Sequence, residues 1–597
     1  MRGKIMKGPS RNGAFRGNSF LRRCNRRALY LISRPMNCTT ELESKKGRSL
    51  AFFFLAVAAL LILLPGNNLI PLIDRDEPRF AQATREMMQR HEWVVPYFNN
   101  DYRFDKPVLI YWMMRPVYRI LGCNEFAARL PSVLSTILLL WIVLKMGRRW
   151  FSLRTGFFAA FGLLTCFQML MHGRSAVADM PMIAMTALAQ YAAFELLHSE
   201  GEKYPWGWFW LLYLACGIGF LAKGPVVMIV PLLSFLTLRW ILWRKKMPWR
   251  RLRIGLGLPI SLAIIGAWGI PALVKTHGEY WTVGMYTHVF ERGWDTFDGH
   301  AAFFLYYVVI AIVSLFPWFA LAGDGIAVLR RNWSEKNAFL VAWLVSTYVL
   351  FSFYMTKLPH YVMPAFPALF LILGQTAEPG FVSPKWGRIW FRLVIGLGLV
   401  VGLGALVFAS ATHFTAPYAG LRTAIFGGAT VTLSLAALAL FWRLGAFRFS
   451  VAPLVVLAFG VVLLGRGLRE STPAIHLSPV INQLPAGSEF GFYRYKEPSL
   501  VFYTNHRWEP LGSFDDAQGF INKPGPRVLI VLEQEVGLQD YLRTLGARLR
   551  GRDVPLRVRD YTDEVARLNT VGYESMSFEG LNIAHTAATK VRMFYRP

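Results

Sequence analysis

A helix needs about 20 residues to cross the hydrocarbon of a bilayer, so repeated apolar runs of that length settle the fold class before any other feature. Such runs begin with "AFFFLAVAALLILLPGNNLIPLI" (51–73) and recur to about residue 468. They predict spans near 50–73, 131–147, 155–172, 177–197, 206–222, 224–243, 254–274, 300–323, 337–355, 360–376, 391–411, 420–442 and 451–468. The fold class expected is therefore a polytopic α-helical membrane protein with about 13 transmembrane helices. After about 471 the pattern changes to short β-rich runs, "EFGFYRY", "SLVFYTN" and "RVLIVLEQ", followed by the helical "LQDYLRTLGARL". This predicts a C-terminal soluble α/β domain over 471–597.

The net charge of +29 is distributed in a way that argues against nucleic acid. Basic residues collect in short loops such as "RWILWRKKMPWRRLR" (239–253), with seven Lys/Arg and no acid. That is the signature of cytoplasmic loops. With an odd number of spans, the polar Arg-rich segment 1–49 is a disordered cytoplasmic tail and the C-terminal domain lies outside. Met36 is a second candidate start, since "MNCTTELESKKGRSLAFFF" already supplies a basic flank and a first span. The body of the chain is then a membrane domain over 50–470 with a large outer loop at 74–130. The five cysteines have no metal-ligand spacing and none follows Cys216, so no disulfide framework is expected in the C-terminal region.

On the outer side, directly behind the first span, stands "DRDEPRFAQATREM". Asp76 followed by Glu77 and Pro78 suits a capped helix start, and Phe80, Ala83, Met87 and Met88 share one face of an amphipathic, interfacial helix. The same carboxylates could equally be a reaction centre. Asp179, in "GRSAVADMPM", is an ionisable group at membrane depth, which is costly and points to function. The same face carries Asp105 and Lys106 in "FDKPVLIYW", Arg129 in "NEFAARLPS", Lys223 in "GFLAKGP" and His288 in "YTHVFERGW". Lys357, His360 and Tyr361 follow in "MTKLPHY". A single membrane-edge lysine is normally snorkelling. Several cations mixed with carboxylates suit a phosphorylated lipid, because cations neutralise a leaving phosphate and a carboxylate orients a nucleophile or steadies an oxocarbenium-like sugar. No GxxxxGK[ST] loop is present, so neither a nucleotide nor an organic cofactor is expected.

Six of these motifs, in order over about residues 50–470, together resemble membrane glycosyltransferases of the GT-C class. Within that class they resemble the bacterial 4-amino-4-deoxy-L-arabinose transferases of lipid A, relatives of the protein O-mannosyltransferases. "EPSLVFYTNH" (497–506) is a weaker echo in the C-terminal domain. The resemblance implies inverting transfer of a sugar from undecaprenyl phosphate to lipid A, or another acceptor, at the periplasmic face of a bacterial inner membrane. It implies Asp76 as principal catalytic carboxylate with Glu77 beside it, and Asp179 as a second functional acid. Arg79 and Lys106 become donor-phosphate ligands and Tyr361 a group near that phosphate, with Arg129, Lys223, Lys357 and His360 as further groups for the lipid-linked donor. It also implies a divalent metal held by Asp105 and His288, although relatives usually carry Glu where this chain has Asp105. Two alternatives stay open: transfer of another polyprenyl-phosphate sugar, mannosyl-like, to protein or glycan hydroxyls, and a lipid transporter or flippase. The one-sided charged loops and the odd span count disfavour the transporter.

Overall fold

The computed structural model describes residues 45–597 apart from 74–75, 292–304, 411–419, 447–448, 549, 583–584, 586 and 597. The tail 1–44 and the pair Asp74 and Arg75 lie outside the described residues. Every one of the thirteen expected spans falls on helix, but among the described residues only eight helices are long and apolar enough to cross a membrane. These are Glu125–Trp150, Asp179–Leu197, Trp206–Lys223, a helical stretch Trp249–Lys275, Glu335–Phe353, Lys385–Ser410, Leu421–Arg443 and Val451–Glu470.

The other five positions are shorter or broken helices. Gly47–Leu63, Leu153–Leu164 and Val226–Leu242 are shorter apolar helices. Tyr306–Ser314 and Trp318–Arg331 meet at 111° beside Pro317. Phe366–Gly374 is preceded by a 3-10 turn, Pro359–Ala365. Proline accounts for the last two breaks, because it lacks an N–H and clashes with the preceding turn. Apolar content registers such segments as spans but is blind to where the helix stops.

Beyond the last membrane helix, a six-stranded mixed sheet forms from β3 (Glu489–Tyr493), β4 (Trp508–Leu511), β5 (Arg527–Gly537), β6 (Arg559–Asp560), β7 (Glu574–Asn582) and β8 (Ala587–Arg596). Its order is β4-β3-β5-β8-β7, with β6 also paired to β5. The unbroken apolar run of β5 is explained by cover on both faces. Val528, Ile530 and Leu532 enter one core with Phe490, Trp508 and Met593, while Leu529 and Val531 enter another with Phe520 and Phe594.

The sheet and the membrane helices belong to one packed unit from Ala51 onward. Their junction is built from the outer loop. β1 (Tyr97–Phe98) and β2 (Asp101–Tyr102) form a hairpin whose two-residue turn, Asn99 and Asn100, has φ of 56° and 76°. Both values are what a primed turn requires, and Asn tolerates them. The Glu86 carboxylate accepts the Asn99 and Asn100 amides at 2.9 and 3.1 Å. The Asn99 side chain then pairs both ways with the backbone of Trp508, at 2.8 Å each. "EPSLVFYTNH" proves to contain a docking helix, Pro498–Thr504. Its Phe502 carbonyl accepts Arg85 Nη1 at 2.8 Å, and the Tyr503 hydroxyl accepts the Leu72 amide at 3.0 Å. The Glu77–Gln89 helix is therefore covered by protein, with Gln82, Thr84 and Glu86 buried as well as Phe80, Ala83 and Met87. It does not lie with an open apolar face, as an interfacial helix would.

Candidate active site

The first turn of the Glu77–Gln89 helix is fixed by an ion pair at its base. Arg129 is almost completely buried in the Glu125–Trp150 helix. Its Nε and Nη2 donate to the two carboxylate oxygens of Glu77 at 2.9 and 2.7 Å. Its remaining N–H groups donate to the carbonyls of Asn67, Ile70 and Pro71 at 2.7–2.8 Å. All five donors of the guanidinium are thus used within the protein. Glu77 also accepts the amides of Ile73 at 2.9 Å and Ala176 at 2.6 Å, which fills its four acceptor positions. Arg129 has no donor left for a phosphate, and Glu77 has no lone pair left for a substrate. The geometry makes both positioning residues, in place of the catalytic and phosphate-binding roles expected of them.

What the pair positions is Asp76. This residue precedes the helix at φ −91° and ψ −53°, and its side chain makes no capping bond. The N-cap reading of Asp76 is therefore not realised, and the carboxylate is exposed. It acts electrostatically on Arg103, Tyr111 and His172. Sequence reading missed Arg103 and Tyr111. Arg103 is buried, donates through Nε to the Tyr111 hydroxyl at 3.2 Å, and pairs with Asp105 at 2.7 Å. Burial pushes the Tyr111 hydroxyl up to about 12, with Arg103 opposing and Asp105 and Asp76 adding to the rise. Tyr111 is thus a neutral donor at physiological pH. Burial works against the Arg103 cation, but Tyr111 and the two carboxylates more than offset it. The only sequence signal for this arginine was a cation between two aromatics just before Asp105.

A second group gathers at the ends of two membrane helices and at the turn Pro359–Ala365. Asp179 opens one helix and Lys223 closes the next, and the Lys223 ammonium donates to Asp179 Oδ1 at 2.6 Å. His360 Nε2 lies 3.9 Å from the same oxygen, and its ring is 5.0 Å from that of His172. Lys223 also stands 5.6 Å over the Tyr361 ring. Pairing of this kind is what makes a charge tolerable at membrane depth. Lys106 joins the two groups: its charge acts on His360, while its Nζ donates to its neighbour's carbonyl, Asp105, at 2.9 Å.

The structure therefore brings together Asp76, Lys106, Asp179, Lys223, His360 and Tyr361, and adds Arg103, Tyr111 and His172. It leaves others apart. The described hydrogen bond of Lys357 goes to the Tyr354 carbonyl at 2.7 Å, and no described contact joins it to Asp179. Arg79 lines a cleft against the C-terminal sheet with Arg494 and Lys496. The His288 side chain lies outside the described residues. Among the described residues no three His, Cys, Asp or Glu side chains converge as metal ligands, and Asp105 is engaged by a guanidinium where a cation would sit.

The protein family described as dolichyl-phosphate-mannose-protein mannosyltransferase matches residues 105–265. The undecaprenyl phosphate-α-4-amino-4-deoxy-L-arabinose arabinosyl transferase of Erwinia tasmaniensis is 27% identical over 508 residues, which is 79% of this chain and 89% of that one. Its counterpart from Pectobacterium atrosepticum is 32% identical over 61% of this chain and 66% of its own length. The crystal structure of ArnT from Cupriavidus metallidurans bound to undecaprenyl phosphate matches with a TM-score of 0.70 at 20% identity, covering 92% of this chain and 98% of that one.

Proposed function

The chain belongs to the superfamily of GT-C membrane glycosyltransferases that takes in the aminoarabinose transferases and the protein mannosyltransferases, and for this lipid-linked-sugar glycosyltransferase we propose transfer of 4-amino-4-deoxy-L-arabinose from undecaprenyl phosphate to a lipid A phosphate. The observation that carries the reading is the exposed Asp76 carboxylate, which makes no capping bond, stands beside a turn that Glu77 and Arg129 tie down, and acts electrostatically on Arg103, Tyr111 and His172. In this proposal the transfer takes place at the periplasmic face of a bacterial inner membrane, with the C-terminal domain on that side.

The chemistry follows from charge. An acceptor phosphate is already anionic at neutral pH and needs no strong base. Its oxygen forms the new bond to the anomeric carbon as the bond from that carbon to the undecaprenyl phosphate oxygen breaks from the opposite face. The electron pair leaves with undecaprenyl phosphate, and the configuration inverts. Asp76 steadies the positive charge that develops on the sugar. Lys106 and Lys223 neutralise the departing phosphate, and Asp179 holds the Lys223 ammonium in place. The test is mass spectrometry of lipid A from cells with and without the gene, and with Asp76→Asn. The gain of one aminopentose, lost in Asp76→Asn at normal expression, supports the reading. Unmodified lipid A alongside altered glycoproteins would transfer the assignment to protein or glycan hydroxyls, where Asp76 becomes the general base.

A further inference from the structure

Arg79 follows Asp76 by three residues, which on a helix is one turn away along the same side. It forms one wall of a cleft of about 440 Å³ whose other walls come from the C-terminal sheet and its loops. Two carboxylates in this cleft are already occupied. Glu535 accepts from Arg559 at 2.9 Å and lies 3.3 Å from His585, and Glu497 accepts from Asn582. Arg494 is paired with Glu564 at 3.2 Å. Arg79 and Lys496 are left with no hydrogen bond or ion pair among the described residues. They are the cations in excess, one from each side of the cleft. Asn582, Thr589 and Tyr561 add amide and hydroxyl groups to the same walls.

Two uncommitted cations suit an anion, and a surround of amides and hydroxyls suits a sugar. We propose that this cleft binds the phosphorylated sugar headgroup of the acceptor, with Arg79 and Lys496 neutralising its phosphate beside Asp76. The assignment rests on the transferase reading above and adds a site to it. In this arrangement the donor phosphate is held on the membrane side, by Lys106 and Lys223, and the acceptor phosphate on the domain side. The two like-charged groups are kept apart until the sugar passes between them. The C-terminal domain thereby selects the acceptor. The same phosphate chemistry is offered by ordinary anionic phospholipids, and the test separates the two sources.

Lys496 is exposed and can be changed without touching the core. Purified protein is supplied with undecaprenyl-phosphate aminoarabinose and lipid A in neutral detergent, and KM is measured for each substrate separately. Lys496→Ala should raise the acceptor KM by about tenfold or more, the size expected for one charge-assisted contact, with donor KM and kcat little changed. Lys496→Arg should restore the acceptor KM. An unchanged acceptor KM in Lys496→Ala, with the wild-type protein active, overturns this cleft and leaves the transferase reading standing. Wild-type protein that transfers nothing to any phosphorylated glycolipid overturns both. In a further arm, phosphatidylglycerol is added. Phosphatidylglycerol that changes activity without altering the acceptor KM, an effect lost in Lys496→Ala, identifies a phospholipid headgroup as the occupant and overturns the acceptor assignment.

Discussion

Arg129→Lys separates a structural tie from a substrate contact. The charge stays, so Glu77 keeps a cationic neighbour, but an ammonium donates at most three hydrogen bonds where the guanidinium donates five. At least two buried acceptors among Glu77, Asn67, Ile70 and Pro71 lose their partner. Each such loss costs about 1–3 kcal/mol, so the variant should be destabilised by roughly 2–6 kcal/mol. Arg129→Met removes the charge as well and strands a buried carboxylate, a change that costs about 3–5 kcal/mol even before the orphaned carbonyls are considered. The expected order of thermal midpoints in detergent is wild type, then Arg129→Lys, then Arg129→Met. The first step should be about 5 °C or more. Activity should fall in parallel with folded protein. Asp76→Asn, in contrast, should lose activity with an unchanged midpoint. An Arg129→Lys protein with the wild-type midpoint and little transferase activity would falsify the argument, because Arg129 would then be acting on the substrate.

Three other outcomes follow from the same geometry. Asp179→Asn frees the Lys223 ammonium from its 2.6 Å partner and should lower kcat by at least about tenfold, with Lys223→Ala no more damaging in the double variant than alone. Tyr111→Phe removes a neutral hydroxyl beside Arg103, and single-turnover kinetics should show a slower chemical step with undecaprenyl phosphate binding retained. Glu92 is also testable by pH. Burial alone would raise its carboxyl, but Lys275 and the Val94 and Val95 amides hold it below the usual range. Because the folded value is depressed, its contribution is fully present above the unfolded value of about 4.3 and is lost as pH falls through the folded one. Glu92→Gln should therefore be less stable than wild type at pH 7, and the gap in unfolding midpoint should close below about pH 4. A gap that persists unchanged at pH 3 would contradict this.

The residues that carry formal charge at the membrane edge were legible in the sequence because such groups are costly there and stand out against apolar surroundings. Asp76, Lys106, Asp179 and Lys223 stood out in that way, and His360 and Tyr361 through the "MTKLPHY" motif. What the sequence could not separate was a charge that is available from one that is already used. Glu77 and Arg129 sit 52 positions apart, and nothing local announces that their hydrogen-bonding capacity closes on itself. Arg103 and Tyr111 were missed for the opposite reason, since an arginine between aromatics and a tyrosine in an apolar run both look like ordinary loop and core. The helix breaks inside still-apolar stretches, at Pro317, at the turn Pro359–Ala365 and after Leu164, were not legible, because hydropathy measures composition and not hydrogen bonding. The runs "EFGFYRY" and "RVLIVLEQ" were readable as strands, but "SLVFYTN", expected to be β-rich, is the helix Pro498–Thr504, and the mixed parallel and antiparallel order of the sheet depends on contacts between distant segments.

The hairpin turn at Asn99 and Asn100 sets a boundary for anyone exchanging parts between such proteins. Its Asn99 side chain behaves toward Trp508 as a neighbouring strand would, while Glu86, on the helix that follows Asp76, holds the turn itself. A graft cut at the last membrane helix would divide this joint. It would bring in a foreign residue at 508 and a foreign helix at 498–504 against an unaltered loop. A chimera that carries residues 97–102 together with 497–508 from one parent should assemble, and one that mixes them should not. The smallest transferable module is thus discontinuous in the chain, and recombination breakpoints that respect the sequence boundary near 471 would still cut through the functional one.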